Sequence, residues 1–412
     1  MRAELLVDDR TGIVTDLDPR AVPGGPLAQM ATICETAHFA LASGAPATSG
    51  CSWGDSELAA RAAVGEAVER YCGHLVDASR LRWGSYRRWA EEGMDAVDPE
   101  SLALYRASQR RRPGFAFAGL DRDDVVAWVE ASDAAGGVVL VPAALVWLAP
   151  GAHSATADGR QVALPVNAGI AAGPTLAAAQ RGALAEVVER HCLAQAWHGR
   201  SGFPVVSSAG AAEVRLVPNR FGLPVALALC RNLAEDLLGV GCSAAPTWVE
   251  AAAKAGAEAA FMVETARLVA AGMESWERPA GPIAPHREDR RYRGSYRADL
   301  ADATDITCHL QLLLDPEVRE AIERRLGAAV AEDSAVPGPA TDPGALRQTL
   351  EAAGLRPLTV DLTTADVARC GLAVARVVVP GLRATGPAAF PYLGDGADPL
   401  PADPCLLPVP HV

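Results

Sequence analysis

A chain of 412 residues, half of them apolar, has enough material for a sizeable core in one large domain or two to three fused modules. Its net charge of -13 argues against nucleic acid as a partner, because neutralising phosphates needs a basic surface. Lysine occurs once, at position 254, against 36 arginines. That excludes a P-loop, whose G-x-x-x-x-G-K-[ST] pattern needs a lysine after its second glycine.

Nine cysteines are scattered with no C-x-x-C pair, which argues against a disulfide framework and a zinc ribbon. The opening residues, MRAELLVDDRTG, lack the apolar run of a signal peptide. No charge-free apolar stretch reaches the roughly 18 residues of a membrane span. A reduced cytoplasm is the expected compartment, with no membrane partner.

In chain order, residues 4–17 predict strand, turn, strand, with DRTG supplying the turn. Residues 23–27 and 42–54 read as loops rich in glycine, proline and serine. A helix is predicted over 55–77, capped by Asp55 or Ser56, with apolar returns every three and four residues. Residues 113–149 hold three strand-like runs, FAFAGL, VVAWVEA and GGVVLVPAALVWLA, and 150–174 a loop ending in NAGIAAGPT. A helix from Thr175 to about His198, a strand over 223–230 and a long helix within 246–272, capped by Thr247 and closed by Gly272, follow. The charged stretch 286–297, HREDRRYRGSYR, interleaves acids and aromatics with its arginines and reads as a solvated loop. Then come a helix over 315–333, a proline-rich linker, two late strands in LRPLTVDLT and GLAVARVVVPG, and a non-helical tail, PADPCLLPVPHV. Helices and strands alternate without a strict βαβ rhythm, so the expected class is α+β with a mostly antiparallel central sheet flanked by long helices.

One heptapeptide occurs twice. Residues 66–72 read EAVERYC and residues 186–192 read EVVERHC. On a helix, positions i and i+3 share a face, so Glu66 and Glu69 point the same way, as do Glu186 and Glu189. Like charges there repel by a few tenths of a kcal/mol in an isolated helix. Arg70 and Arg190 offer ion pairing, which is one reading. The other is a metal–nucleotide site. Both copies sit in otherwise apolar helices after glycine-rich loops, and four inward glutamates can hold magnesium whose octahedra nucleotide phosphates complete. Cys72 and Cys192 read as small buried hydrophobes. Lys254 and Glu258, one turn apart, are either an ordinary ion pair or a phosphate contact beside a metal-holding carboxylate.

With GEAVERYC, GIAAGPTLAAAQRGALAEVVERHC, VARVVVPGL and the proline-rich tail in this order, the chain from residue 1 to 412 resembles the YcaO family. It looks most like the stand-alone cyclodehydratase subunits of azole-forming, thiopeptide-like pathways. The resemblance implies a single YcaO-type domain, with the first E-x-x-E-R helix in 1–150 and the second in 151–412. It also implies ATP and Mg2+ as cofactors. The implied reaction converts cysteine, and in some enzymes serine or threonine, of a ribosomally made precursor peptide to an azoline by O-phosphorylation of a backbone amide. Carried over by motif, Glu66, Glu69, Glu186 and Glu189 resemble magnesium ligands. Arg190, Arg70, Lys254 and Glu258 resemble nucleotide contacts, and Pro408 and Pro410 match part of the catalytic P-x-P-x-P tail. Lysine at 254 replaces an arginine and loses its fork. Departures are Ser52-Trp53-Gly54 for the family's G-K-G, Pro174 for an asparagine, Ala178 and Ala179 for an E-A pair, and Val412 for the last proline. The chain shows no module of its own for a leader peptide, so the resemblance implies an E1-like or ocin-ThiF-like leader-binding partner, and a homodimer. The alternatives are thioamide or amidine formation, the former with a TfuA-like partner, or a catalytically degenerate scaffold subunit.

Overall fold

The structure, a computed structural model, describes residues 5–22, 29–36, 47–209, 211–272, 283–327, 338 and 344–411. The chain opens with β1 (Val14–Val22), β2 (Gln29–Thr36) and β3 (Ala47–Trp53), which form a three-stranded sheet in that order. Then come β4 (Arg82–Gly84), β5 (Val126–Ser132), β6 (Val138–Pro142) and β7 (Ile170–Gly173). A four-stranded sheet follows from β8 (Val205–Ala209), β9 (Ala212–Leu216), β10 (Val225–Asn232) and β11 (Leu237–Ala244), in the order β11-β10-β9-β8. Late in the chain β12 (Leu358–Asp361) and β13 (Ala373–Val378) complete a six-stranded sheet, β4-β5-β12-β13-β7, with β6 also paired to β5. Every pairing between these strands is antiparallel. The expected α+β class with an antiparallel sheet holds, with three sheets where one was expected.

Three strand-to-helix units position everything that follows. β3 leads into the helix Ser56–His74, β7 into Leu176–His198 and β11 into Trp248–Ala270. Each helix is capped by a side-chain oxygen that accepts a backbone N–H: Asp55 from Leu58 (2.8 Å), Thr175 from Ala178 (3.2 Å) and Thr247 from Glu250 (3.2 Å). Such caps contribute about 1 kcal/mol each. Each helix lies close to the strand that precedes it because a glycine there has no side chain. A Cβ on Gly50 would fall 2.2 Å from the Ala59 carbonyl oxygen, and one on Gly241 2.3 Å from that of Ala255.

The first helix buries Val64 and Val68 against Val129, Val141, Val360 and Val374 of the six-stranded sheet. The second and third helices share a larger core with β10 and β11, around Trp197, Leu227, Leu229 and Val240. Tyr105, Phe115, Phe117, Phe390 and Tyr392 make a third, aromatic cluster. Cys72 and Cys192 are buried in these cores, as their apolar neighbours implied.

Several local expectations are corrected. The first strand of the N-terminal hairpin does not form. The Asp8 carboxylate accepts the N–H groups of Arg10 and Thr11, so the chain turns back with only a Val7–Val14 bridge. Within the predicted loop 42–54, residues Ala47–Trp53 form an edge strand, because pairing with β2 overrides a serine- and glycine-rich composition. The run FAFAGL is not a strand, and its phenylalanines fill the aromatic cluster instead. The helix predicted over 315–333 spans Pro316–Leu326, and residues 328–333 lie outside the described residues, as do 23–28. No helix of the described residues is long and apolar enough to cross a membrane.

Candidate functional site

β3, β7 and β11 are edge strands of their sheets. An edge strand presents unpaired N–H groups that need acceptors. The repeated glutamates supply them. Glu66 accepts from Ser49 N (3.1 Å) and Glu69 from Ala172 N (2.7 Å). Glu186 accepts from Gly169 N (3.0 Å) and Glu189 from Ala244 N (2.7 Å). The first glutamate of each heptapeptide thus binds the segment before its own helix, and the second binds the strand of the next unit. Glu258 continues the series by accepting from Cys242. The i,i+3 spacing permits this double reach, because both carboxylates leave one helical face.

Glu66, Glu69 and Glu186 line one cavity of about 560 Å³ together with Arg70 and Arg190. Asn167, Asp305 and His411 line it from other parts of the chain. Arg70 pairs with Glu66 at 2.9 Å. Arg190 stands between Glu186 (3.8 Å) and Glu189 (3.6 Å). Glu189 is buried, 5% exposed, and lies not in the cavity wall but beside it, in a group with Lys254 and Glu258. Arg190 therefore joins two carboxylate groups that the sequence presents as one set.

Six carboxylates, Asp305 among them, share this region with three cations, Arg70, Arg190 and Lys254. The excess negative charge shows in the titration behaviour. Burial, reinforced by Glu186 and Glu66, pushes the Glu69 carboxyl up to about 8 against the pull of the Ala172 amide and Arg70. Burial raises Glu189 to about 7, although Arg190 and Lys254 oppose it. Burial would depress the Lys254 ammonium, but Glu258, Glu189 and Glu186 hold it above its ordinary range. Lys254 is exposed to water on one side, with protein around the rest of its side chain. It forms no direct ion pair with Glu258 among the described residues; the i,i+4 pairing expected from spacing is replaced by a shared field.

The proline-rich tail is exposed over 401–403 and at Leu406 and buried over 404–405 and 408–411. The carbonyls of Cys405, Leu407 and Val409 accept from His198 Nδ1 (2.6 Å), Trp197 Nε1 (2.9 Å) and His309 Nδ1 (3.0 Å). Pro408 and Pro410 are both buried. Pro410 borders a small separate cavity with Leu238 and Met262, and neither proline lines the large one. What the tail brings to the large cavity is His411, whose ring nitrogens lie 2.5 and 2.6 Å from Arg190 Nη1. Burial first, then Arg190 and His309, hold this imidazole well below its usual range, so it is neutral and can accept from the guanidinium. Trp53 donates Nε1–H to the Ala253 carbonyl (2.9 Å). It ties the first unit to the third helix, one residue from Lys254. Pro174 is exposed just before the Thr175 cap, where its missing N–H leaves no gap.

His411, Asp305 and Asn167 were not singled out from sequence. Asn167 sits in the segment leading to the second helix and could have been read from it. Asp305 carries no local signal, because it is brought in from more than a hundred residues away.

Among the described residues no three histidine, cysteine, aspartate or glutamate side chains converge into a closed metal cage. Mg2+ binds through one or two carboxylates and keeps waters and phosphate oxygens for the rest of its octahedron. Carboxylates in excess of cations, with Arg190 and Lys254 beside them, are a donor set that fits a divalent ion carrying a polyphosphate.

The family model described as YcaO cyclodehydratase, ATP- and Mg2+-binding, matches residues 54–383. No curated protein matches the chain. Among solved structures it is similar to a heterocyclase in complex with substrate and cofactor, with 20% identity, TM-score 0.66, and coverage of 92% of this chain and 51% of that one. The chain thus spans about half the length of that heterocyclase. It is also similar to YcaO from Methanopyrus kandleri bound with AMPPCP and Mg2+, with 20% identity, TM-score 0.57, and coverage of 93% and 89%. A third is the E. coli microcin synthetase McbBCD complex with pro-MccB17 bound, with 12% identity, TM-score 0.64, and coverage of 96% of each chain. At these identities the likeness is one of fold.

Proposed function

The chain belongs to the YcaO family, whose cyclodehydratases bind ATP and Mg2+, and from that premise we propose that it converts cysteine residues of a ribosomally made precursor peptide to thiazolines. The observation that carries this reading is the convergence of two E-x-x-E-R helices on one cavity with more carboxylate than cation. One or two of Glu66, Glu69 and Glu186 would hold each Mg2+ ion at the cavity wall, with water and phosphate oxygens for the rest, and Glu189 and Glu258 would add negative field from behind. Arg190, Lys254 and Arg70 would meet the phosphates. Each glutamate keeps one oxygen on a backbone N–H, and on Glu66 the other accepts from Arg70, so an ion there would displace that pair. Positioning and electrostatics of this kind are what phosphoryl transfer requires of a protein.

Bound ATP supplies the phosphoryl group that lets the amide oxygen leave. The chain's own residues orient and neutralise. Arg190, bridging Glu186, Glu189 and His411, is the group placed to meet negative charge developing on a transferred phosphoryl. Neutral His411 accepts from Arg190 and fixes its aim, and this is the tail's part in the site. McbBCD is a multi-protein complex with a bound peptide. By analogy this chain works with a leader-binding partner that delivers the precursor.

The experiment is reconstitution with the genomic neighbours' partner and precursor, ATP and Mg2+, read by mass spectrometry. Loss of one water per ring is expected. Glu66→Ala and Glu189→Ala should abolish it while leaving the circular dichroism spectrum unchanged. An unmodified precursor with ATP intact would overturn the proposal. Calorimetric titration showing no nucleotide binding, with or without the partner, would support a scaffold role instead.

A further inference from the structure

Next to the metal-type cavity lies a second, of about 90 Å³, walled by Leu102, Leu104, Leu145, Val187, Leu382 and Tyr392. The two cavities share Leu164, Val166, Ala168 and Arg190. The partition between them, residues 164–168, is pinned along its length. Leu164 N donates to Tyr105 Oη (3.2 Å), and Tyr392 Oη–H donates to the Leu164 carbonyl. Arg376 Nη1 donates to the carbonyls of Val166 (2.9 Å) and Ala168 (3.0 Å). Tyr105 and Tyr392 are themselves stacked, 5.0 Å between centroids. The wall is therefore preformed and does not depend on a ligand to order it.

Arg376 and Arg383 touch the second cavity but are turned toward the protein. Arg376 is 6% exposed and Arg383 1%. Their donors go to backbone carbonyls, those of Leu145, Val166 and Ala168 for one and of Tyr392, Gly394 and Asp398 for the other. Arg383 also donates to the Gln195 side-chain oxygen (3.0 Å), so the space is mostly apolar where a ligand would sit, with Arg190 at the boundary with the polar cavity. Phosphate does not belong in such a space. At about 90 Å³ it is also smaller than an apolar cavity of about 150 Å³ that takes up benzene, so it suits a purine poorly. A branched aliphatic side chain of three or four carbons suits the volume.

We propose that this cavity is the subsite for an aliphatic side chain of the peptide substrate, next to the amide that reacts at Arg190. This rests on the function proposed above and adds a substrate preference: valine-, leucine- or isoleucine-sized residues beside the cyclised cysteine. Adjacency to the metal-type cavity, with Arg190 in the wall of both, is what assigns the occupant to the peptide, whose reacting amide would sit at Arg190.

The test uses the full chain with and without Mg2+ and a non-hydrolysable ATP analogue. The probes are acetyl-Leu-Cys-N-methylamide and acetyl-Asp-Cys-N-methylamide, titrated by saturation-transfer NMR. The leucine probe should bind at least about tenfold more tightly, as burial of one aliphatic side chain provides. Ala384→Leu, which fills the cavity mouth, should erase that preference while analogue affinity by calorimetry stays within twofold. Leu382→Ala should keep leucine binding and admit a phenylalanine probe. Equal affinity for the two probes, or no binding of the leucine probe, overturns the subsite. Loss of analogue affinity in Ala384→Leu also overturns it and gives the cavity to the nucleotide. If the analogue binds the wild-type chain neither alone nor with the leader-binding partner, the functional reading fails, and the nucleotide-free arm still decides the subsite by the same preference.

Discussion

Glu69 and Glu189 are carboxyls that burial holds protonated near neutral pH, at about 8 and about 7 against a usual 4.5. A folded-state pKa above the unfolded one contributes stability that is fully present below the unfolded value and lost as pH rises through the folded value. The metal-free chain should therefore lose stability between about pH 4.5 and pH 8. Glu69→Gln should flatten that decline in a comparison of Tm against pH and be more stable than wild type at pH 8. A Tm difference between the two proteins that does not change with pH would contradict this account. Mg2+ with nucleotide should act in the opposite sense, stabilising more as pH rises, because the ion needs the ionised carboxylates. At this scale the sequence pointed to residues that the structure brings near one another. E-x-x-E-R, twice, singled out Glu66, Glu69, Glu186, Glu189 and both arginines. It did not show that Glu189 stands apart from the other three, since that depends on which strand edge each carboxylate caps.

Three edge strands, each feeding a capped helix, make the scaffold. The close packing of helix on strand depends on positions such as Gly241, where a Cβ would meet the Ala255 carbonyl oxygen at 2.3 Å and the Ala259 nitrogen at 2.6 Å. Gly241→Ala must move backbone to relieve that contact. It should cost about 1–3 kcal/mol, as overpacking does, measured by denaturant unfolding. It should also weaken Mg2+–nucleotide binding, because β11 presents Ala244 N to Glu189. Unchanged stability and binding would show that the helix shifts freely. The three helices and their caps at Asp55, Thr175 and Thr247 were legible in sequence from capping chemistry and apolar returns. β3 was not. Its serines and glycines read as loop, and only pairing with β2 and the approach of Ala59 and Ala63 to Gly50 make it a strand.

Across the whole molecule the tail closes the arrangement. Its carbonyls satisfy three buried side-chain donors on the second helix and near residue 309, and His411 arrives at Arg190 only because the preceding residues are threaded in this way. Deleting residues 411–412 leaves those carbonyls in place, so stability should change little, while nucleotide affinity falls about tenfold as Arg190 loses its partner. Deletion from Cys405 onward should instead destabilise by several kcal/mol, at about 1–3 for each donor left unsatisfied. Calorimetry and thermal unfolding of the two truncations separate these effects. The sequence by itself determined the helices, their caps, the acidic and cationic residues of the site and the α+β class, because capping, periodicity and i,i+3 spacing are local properties. Only the tertiary structure decided that the glutamates cap the open edges of three different sheets, that Trp53 binds the third helix, that the prolines are buried while His411 reaches the site, and that an apolar cavity adjoins it. Each of these joins residues far apart in the chain, and no local pattern encodes which distant backbone group a side chain will meet.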